Sequence, residues 1–138
     1  TPAPRPWAAV SGPWPAVYNG DIFTPEDAAA LCRDYPGTDA VMLGRGLMRD
    51  PALLRRLRGG PAASAQELRT YHDRLLEAYR HRLSGDQPVM HRMWELWAYL
   101  SAGFTQPEPY LKRMRKAKNL PEYRAAVDAL FREQRYTT

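Results

Sequence analysis

Two segments of this sequence decide its fold: AVYNGD at residues 16–21 and DAVMLGRG at residues 39–46. Each contains a short apolar run, which predicts a buried strand, and each run ends at a glycine turn. Between them, Thr24-Pro25-Glu26-Asp27 predicts a helix that runs to about Arg33, because it supplies an N-cap, a proline at the first helical position and acids in the first turn. A further helix is predicted over residues 51–57, and this alternation of strands and helices is typical of a parallel sheet.

Two strands are too few for a stable parallel sheet, because such strands need neighbours on both sides and helices over both faces. We therefore expect residues 1–58 to be the carboxyl-terminal part of a larger α/β unit whose first part is missing from this sequence. Residues 1–15 hold five prolines and predict a loop.

The composition changes at Gly59-Gly60-Pro61-Ala62-Ala63, which predicts a linker over residues 59–63. Beyond it, apolar residues at helical spacing and helix-start signals predict four helices, over about residues 64–83, 88–102, 108–117 and 121–133. Short connections between them indicate a small helical bundle over residues 64–138. The residues expected in its core from the first two helices are Leu68, Tyr71, Leu75, Tyr79, Leu83, Met90, Met93, Trp94, Trp97 and Leu100.

The overall composition excludes several classes of protein. The 138 residues are 44% hydrophobic and 25% charged, which is enough to bury a core, and no apolar run approaches the roughly 20 residues that cross a bilayer. Cys32 is the single cysteine, so an intramolecular disulfide and a zinc site with several cysteines are excluded. We expect a protein of the reducing cytoplasm, with Ala28, Leu31 and a buried, structural Cys32 facing inward on the first helix.

The positive charge is concentrated in the second half of the chain. Residues 1–58 contribute +1 and residues 59–138 contribute +4 to the net charge of +5, and 17 of the 20 basic residues are arginines. Arginine suits a polyanion such as nucleic acid, although a high-GC genome also favours arginine codons. The run from Lys112 to Lys118 has five positive residues and no acid, whereas a solvated helix face normally mixes both signs. This run predicts a contact with a polyanion, through Arg113, Arg115, Lys116 and Lys118.

Glycine turns follow both predicted strands, with Asn19, Gly20 and Asp21 after the first and Gly44 and Arg45 after the second. In an eight-stranded parallel barrel, the loops after the last two strands commonly hold the phosphate of a cofactor. Glycine lets backbone N–H groups approach phosphate oxygens, and an arginine adds charge. The pair of loops therefore predicts a phosphate site.

These residues resemble a known family. The stretches at residues 17–22 and 39–46, followed by Asp50-Pro51, are similar to the carboxyl-terminal barrel section of the tRNA-dihydrouridine synthases, where the pattern is close to N-G-D/E-I and then D-G-V-M-I-G-R-G-A with a nearby proline. Ala40 stands where glycine is usual and Leu47 where alanine is usual, and neither change should harm phosphate binding. The stretch RMWELWAYL at residues 92–100 is similar to the tail of the bacterial subfamily assigned to tRNA uridine 16. The resemblance covers about residues 16–135.

The resemblance implies the last two βα units of a TIM-type (β/α)8 barrel followed by a helical tRNA-binding domain. It implies an FMN enzyme that reduces a uridine of the tRNA D-loop with NADPH as reductant, and that acts as a monomer without a metal. The residues matching the FMN-phosphate site of that family are Asn19, Gly20, Asp21, Gly44 and Arg45. The family's acid cysteine and flavin-ring contacts belong to earlier strands, so we expect no catalytic residue in these 138 residues, and no activity from them alone.

Two other functions fit part of the sequence. A free-standing helical RNA-binding module explains residues 64–138, and a different FMN barrel, such as a relative of dihydroorotate dehydrogenase, explains the glycine loops. His72, His81 and His91 have no metal-site spacing and are expected to be ordinary surface or core residues, although His91 could touch RNA. Trp94 and Trp97 are expected in the core, with base stacking by one of them as the alternative.

Overall fold

The structure, a computed structural model, describes residues 17–137, apart from the side chain of Asn19. The loop predicted over residues 1–15, and Ala16 at the start of the first predicted strand, lie outside the described residues. The elements in chain order are β1 Val17–Asn19, α1 Pro25–Asp34, β2 Ala40–Met42, α2 Gly44–Arg49, α3 Leu53–Leu57, α4 Ala65–Arg82, α5 Asp86–Leu100, a 3-10 turn Ser101–Gly103, α6 Glu108–Lys116 and α7 Leu120–Glu133.

The two strands pair in parallel, as the sequence predicts, with Tyr18 opposite Val41. Their burial is less complete than expected, since Tyr18 is 7% exposed but Val17 is 48% and Met42 is 54% exposed. The prediction of two buried strands is therefore wrong for the described part of the chain. The reason is that each strand has one neighbouring strand there instead of two.

Helix α1 begins where the sequence predicts. The Asp27 backbone N–H donates to Thr24 Oγ1 at 3.1 Å, and the Thr24 backbone N–H donates back to Asp27 Oδ2 at 3.1 Å, which is a capping box. Leu31 is buried against Tyr18 and Ile22, and Ala28 packs at the edge of this small core. Cys32 is exposed, so the prediction of a buried thiol is wrong. One residue turns a helix by about 100°, which carries Cys32 away from the face that Leu31 buries.

The glycine turn after β2 is a helix. The sequence predicts a loop at Gly44-Arg45-Gly46, but these residues form the first turn of α2. Glycine is a poor helix former, so local preference does not reveal this element. Helix α3 covers Leu53–Leu57 and is two residues shorter than predicted. The reason is that Pro51 and Ala52 form a turn around the buried carboxylate of Asp50. That carboxylate accepts from the Ala52 backbone N–H at 3.1 Å.

Helices α4 to α7 pack around one core, and their bounds agree with the predicted ones to within about two residues. Helix α4 starts at the predicted capping box, in which the Glu67 N–H donates to Ser64 Oγ at 3.1 Å. On α5, the predicted core residues Met90, Met93, Trp97 and Leu100 are all buried, and Trp94 is half-buried. On α4 the predicted core face is shifted: the buried residues are Leu68, His72 and Leu76, and the predicted Tyr71, Leu75, Tyr79 and Leu83 flank them.

The buried His72 belongs to a hydrogen-bonded cluster inside this core. Trp97 Nε1 donates to Tyr123 Oη at 2.8 Å, and Tyr123 Oη lies 2.7 Å from His72 Nε2. The Asp73 carboxylate can only accept, so the proton of a neutral His72 sits on Nδ1, 2.9 Å from Asp73 Oδ1, and Nε2 accepts from the Tyr123 O–H. Burial lowers the pKa of His72, in keeping with a neutral ring.

Candidate functional site

The segments that follow the two strands meet at one edge of the sheet. Arg45 Nη2 lies 2.5 Å from Asp21 Oδ1, although 24 positions separate the two residues in the chain. Parallel strands end at the same edge, so residues after β1 and after β2 are brought side by side. Both side chains remain accessible, with 61% of Arg45 and 50% of Asp21 exposed. The structure thus brings together two of the predicted phosphate-site residues.

Glycines set the spacing of this edge. A Cβ on Gly46 would lie 2.1 Å from the Ile22 carbonyl oxygen and 2.8 Å from Leu53 Cδ2, so α2 approaches the chain after β1 this closely because residue 46 has no side chain. Gly44 is different: nothing lies within 4 Å of the position that its Cβ would take. Gly20 lies against the Tyr18 hydroxyl, and the side chain of Asn19 is outside the described residues.

This edge offers hydrogen-bond donors to an anion. The Arg45 guanidinium carries five N–H donors in a planar fork, and the ion pair with Asp21 uses one side of that fork. Gly44 and Arg45 occupy the first turn of α2, where backbone N–H groups have no acceptor within the helix. The space at the Gly44 Cβ position is open and adjoins this first turn.

The predicted linker is held by Arg55. Its guanidinium donates to the carbonyl oxygens of Pro61 and Ala62, at 2.9 and 3.2 Å, and to Glu67 Oε2 at 2.8 Å. The hydrogen bonds from Arg55, and then from the Ser64 N–H, lower the pKa of Glu67 to about 2. Arg55 therefore ties α3 to the start of α4 across residues 59–63.

Arg56, the next residue of α3, contacts Asp50. It donates to the buried Asp50 at 2.7 Å and is 18% exposed. Arg56 consequently stabilises the turn before α3, whereas Arg55 links α3 to the helical part of the chain.

The run from Lys112 to Lys118 is exposed. Leu111 and Met114 bury one side of α6, and the positive side chains project from the rest of the helix and from the segment after it. We call the following residues the basic cluster: Lys112, Arg113, Arg115, Lys116 and Lys118. Helix α6 ends at Lys116, one residue before the predicted end, so Lys118 lies beyond the helix.

The side chains of the basic cluster have no acidic partners in the described part of the chain. Within residues 17–137, its five members make no ion pair and no side-chain hydrogen bond. Most other arginines in that part of the chain lie against a carboxylate, including Arg69, Arg80 and Arg124. Unpaired, exposed and closely spaced cations are suited to a polyanion.

Half-buried Trp94 lies beside the basic cluster. Its Nε1–H donates to the Met114 carbonyl oxygen at 2.8 Å, and the ring of exposed His91 approaches it edge-on with centroids 4.7 Å apart. Trp97, by contrast, is 1% exposed, which confirms its predicted place in the core.

Two other features are absent from the described residues. Over residues 17–137, no three His, Cys, Asp or Glu side chains are grouped as metal ligands would be. In that same range, no helix has the length and apolar content required to span a membrane.

Comparisons with known proteins give a consistent result. The model of the dihydrouridine synthase family matches residues 8–134. A tRNA-dihydrouridine(16) synthase of Cupriavidus necator is 31% identical over 121 residues, which cover 78% of this chain and 37% of that protein. A tRNA-dihydrouridine(16) synthase of Ralstonia nicotianae is 49% identical over 45 residues, covering 33% of this chain and 14% of that protein. The chain therefore spans well under half the length of these relatives.

Proposed function

Because the chain belongs to the dihydrouridine synthase family, we propose that it forms the carboxyl-terminal part of an FMN-dependent tRNA-dihydrouridine synthase. The full-length protein reduces a uridine of the tRNA D-loop to dihydrouridine in the cytoplasm, with NADPH as electron source. Residues 1–58 contribute the last two βα units of a TIM-type barrel, residues 59–63 a linker, and residues 64–138 a helical tRNA-binding domain. The names of the two relatives support uridine 16 as the target.

The observation that carries this proposal is the meeting of Asp21 and Arg45 at the carboxyl edge of the parallel strands. In a (β/α)8 barrel this edge is where the last two loops hold a cofactor phosphate. The residues fit such a group, because the Arg45 guanidinium has unused donors, Gly44 lies in the first turn of α2, and the space at the Gly44 Cβ position is open. FMN bound at this edge would, once reduced by NADPH, supply the hydride that reduces the uracil ring.

Each residue of this edge has a separate task in the proposal. Arg45 donates charge-assisted hydrogen bonds to the phosphate, and such bonds are about twice as strong as neutral ones. Asp21 holds the Arg45 guanidinium in place and offsets part of its charge when no phosphate is present. Gly20 and Gly44 let backbone N–H groups come close, with Asn19 beside them.

The catalytic acid lies elsewhere in this proposal. Cys32 is an exposed residue in the third turn of α1, and the acid cysteine of the family belongs to earlier barrel strands. Cys32 therefore takes no part in proton transfer. The chain binds the cofactor phosphate and the tRNA, and the reacting atoms are held by upstream residues.

The basic cluster provides the tRNA contact. Its members lie on α6 and just after it, whereas the phosphate edge is formed by the segments after β1 and β2. Arg113, Arg115, Lys116 and Lys118 bind the tRNA backbone through its phosphates, which suits cations that have no carboxylate partner.

The two alternative functions each leave an observation unexplained. A free-standing RNA-binding module accounts for neither the Asp21–Arg45 pair nor a family match that begins at residue 8. A different FMN barrel does not account for the basic cluster, nor for a match that continues through the helices to residue 134.

The test is made with the full-length protein and with the 138-residue chain. Each is incubated with FMN, NADPH and unmodified tRNA, and dihydrouridine is measured by mass spectrometry of the digested tRNA. We expect dihydrouridine at one D-loop uridine with the full-length protein and none with the 138 residues. A full-length protein that carries flavin but forms no dihydrouridine would favour the other FMN barrel, and one that binds tRNA but no flavin would favour the RNA-binding module.

A further inference from the structure

Helices α5 and α6 form a seam beside the basic cluster. Two hydrogen bonds cross it: Gln87 Nε2 donates to the Lys118 carbonyl oxygen at 3.4 Å, and Trp94 Nε1 donates to the Met114 carbonyl oxygen. Farther along the two helices, Trp97 and Ala98 lie near Leu111. The contacts run in opposite directions along the two helices, so the seam is antiparallel.

Trp94 presents an aromatic surface in this seam. Its single polar atom is bonded to Met114, which fixes the orientation of the indole, so a further ligand of this side chain meets the apolar ring. A depression of about 60 Å³ beside the ring is lined by Ala98, Met114 and Arg115, among others. The residue is half-buried, so it is held by the core and is still reachable from solvent.

The charges around the ring favour a nucleic acid as the occupant. Arg115 borders the depression and has no carboxylate partner among the described residues, and the other members of the basic cluster lie within a few residues of it. The nearest acids at the Lys118 end are engaged with backbone, since Glu122 accepts from the Lys118 N–H and Asp86 from the Leu120 N–H. An apolar peptide would match the ring but not these cations, whereas a nucleotide offers both a π face and a phosphate.

From this arrangement we infer that Trp94, with His91 and Arg115 at its rim, stacks one unpaired nucleobase of the RNA that the basic cluster binds. The inference rests on the proposed binding of RNA by that cluster. It adds that an unpaired nucleobase is recognised besides the phosphates. A base within a duplex keeps its faces covered by its neighbours, so the ligand is a nucleotide of a loop or a single strand. Arginine guanidinium and imidazole planes also stack on bases, which suits the two residues at the rim.

The experiment compares Trp94→Leu, which removes the π face, with Trp94→Phe, which keeps one. In the full-length protein, tRNA affinity is measured across a series of salt concentrations. We expect Trp94→Leu to weaken binding by about tenfold at every salt concentration, with an unchanged slope of log affinity against log salt, because stacking involves no phosphate. We expect Trp94→Phe to retain most of the affinity. Unchanged affinity for Trp94→Leu would overturn the inference.

A second measurement starts from the wild-type protein, whose preference for bases is determined before the variant is compared with it. Binding of a short oligouridine strand is compared with binding of an abasic strand of equal length and charge. We expect a preference for the oligouridine that Trp94→Leu removes or sharply reduces. Equal binding of both strands by the wild-type protein, or a preference that Trp94→Leu leaves intact, would contradict the inference.

Two controls separate the possible failures. Tyr79→Leu removes another half-buried aromatic residue that packs on the same core from α4, and it should leave RNA affinity unchanged. If Tyr79→Leu weakened binding as much as Trp94→Leu, the effect would be one of stability and the inference would fall. If neutralising the basic cluster left tRNA affinity unchanged, the proposed RNA surface itself would be wrong. If neutralising the cluster weakened tRNA binding but Trp94→Leu did not, only the proposed stacking site would be wrong.

Discussion

Arg45 and Asp21 form an ion pair that joins the ends of two parallel strands, at an Nη2–Oδ1 distance of 2.5 Å. The pair exists because the strands end at one edge, and because the absence of a side chain at Gly46 lets α2 lie against the chain after β1. The pair leaves guanidinium donors of Arg45 unused, and the adjacent Gly44 borders open space. These two features give the first prediction.

In the full-length protein, Arg45→Ala should weaken FMN binding by roughly ten- to a hundredfold, since a charge-assisted contact to phosphate is lost. Flavin retention is measured by absorbance, and affinity by titration of the apoprotein. Arg33→Ala is the matched control, because Arg33 is 74% exposed on α1 and lies near Asp34. Equal flavin retention by the two variants would remove the phosphate assignment.

The second prediction concerns the basic cluster. Neutralising Arg113, Arg115, Lys116 and Lys118 should weaken tRNA binding without expelling flavin. Each lost phosphate contact should flatten the slope of log affinity against log salt by about 0.7–0.9, so two true contacts would lower it by roughly 1.5. The measurement is a filter-binding or fluorescence titration at several salt concentrations.

The control for that experiment must also remove surface charge. Arg33 and Arg132 serve well, because each is exposed and lies near an adjacent carboxylate. Neutralising both should leave the salt slope nearly unchanged. If the basic-cluster variant behaved like this control, the cluster would be an ordinary solvated surface, and the RNA contact would have to be sought around Arg80, Arg82 and Arg92.

The third prediction follows from the Glu67 carboxylate. Its folded-state pKa is about 2, against an ordinary value of 4.5, because Arg55 and the Ser64 N–H donate to it. Between about pH 4.5 and pH 2 the unfolded chain binds the proton more readily than the folded chain, so this carboxylate stabilises the fold above that window and loses its effect as the pH falls through it. Glu67→Gln should therefore lower the midpoint of thermal unfolding at neutral pH and flatten its dependence on pH in that window.

Glu26→Gln provides the comparison for Glu67→Gln. Glu26 is an exposed acid in the first turn of α1 and makes no ion pair with the described residues. Thermal unfolding of both variants is followed by circular dichroism from neutral pH to acid. A flattening for Glu26→Gln as large as that for Glu67→Gln would contradict a special role for the Arg55 contact.

The fourth prediction concerns the buried cluster around Tyr123. Tyr123→Phe leaves Trp97 Nε1 and His72 Nε2 without their partner inside the core, and an orphaned buried polar group costs about 1–3 kcal/mol. Denaturant unfolding should show this loss. Tyr110→Phe is the control, because its hydroxyl donates to the exposed Glu133, where water can replace it. Equal losses for the two variants would show that burial of the cluster carries no extra cost.

How far the sequence predicts the structure depends on how local each feature is. The start of α4 is predictable because Ser64 and Glu67 satisfy each other's backbone within one turn. Helix α2 is missed because its cause is a tertiary contact, the close approach of Gly46 to Ile22.

In the core and at the candidate site, too, features that depend on distant partners are harder to predict than local ones. The sequence leaves open whether His72 is a surface or a core residue, because its partner Tyr123 is 51 positions away. The proximity of Asp21 and Arg45 is anticipated because parallel strands bring their ends together whatever the intervening sequence, whereas the ion pair between them is not predicted. Trp94 looks like a core residue from its spacing on α5, and its partial exposure depends on where α6 packs.

The double engagement of Glu67 limits how freely the helical part can be exchanged between related proteins. This one carboxylate closes the first turn of α4 and also holds Arg55, which in turn holds the carbonyls of the linker. A chimera that receives another family member's tail at residues 59–63 gains the first turn of that tail. It does not gain the arginine that pairs with this turn in the protein of origin, because that arginine lies before the linker. Successful grafts should therefore be spliced before Arg55, so that the arginine and its carboxylate are inherited together.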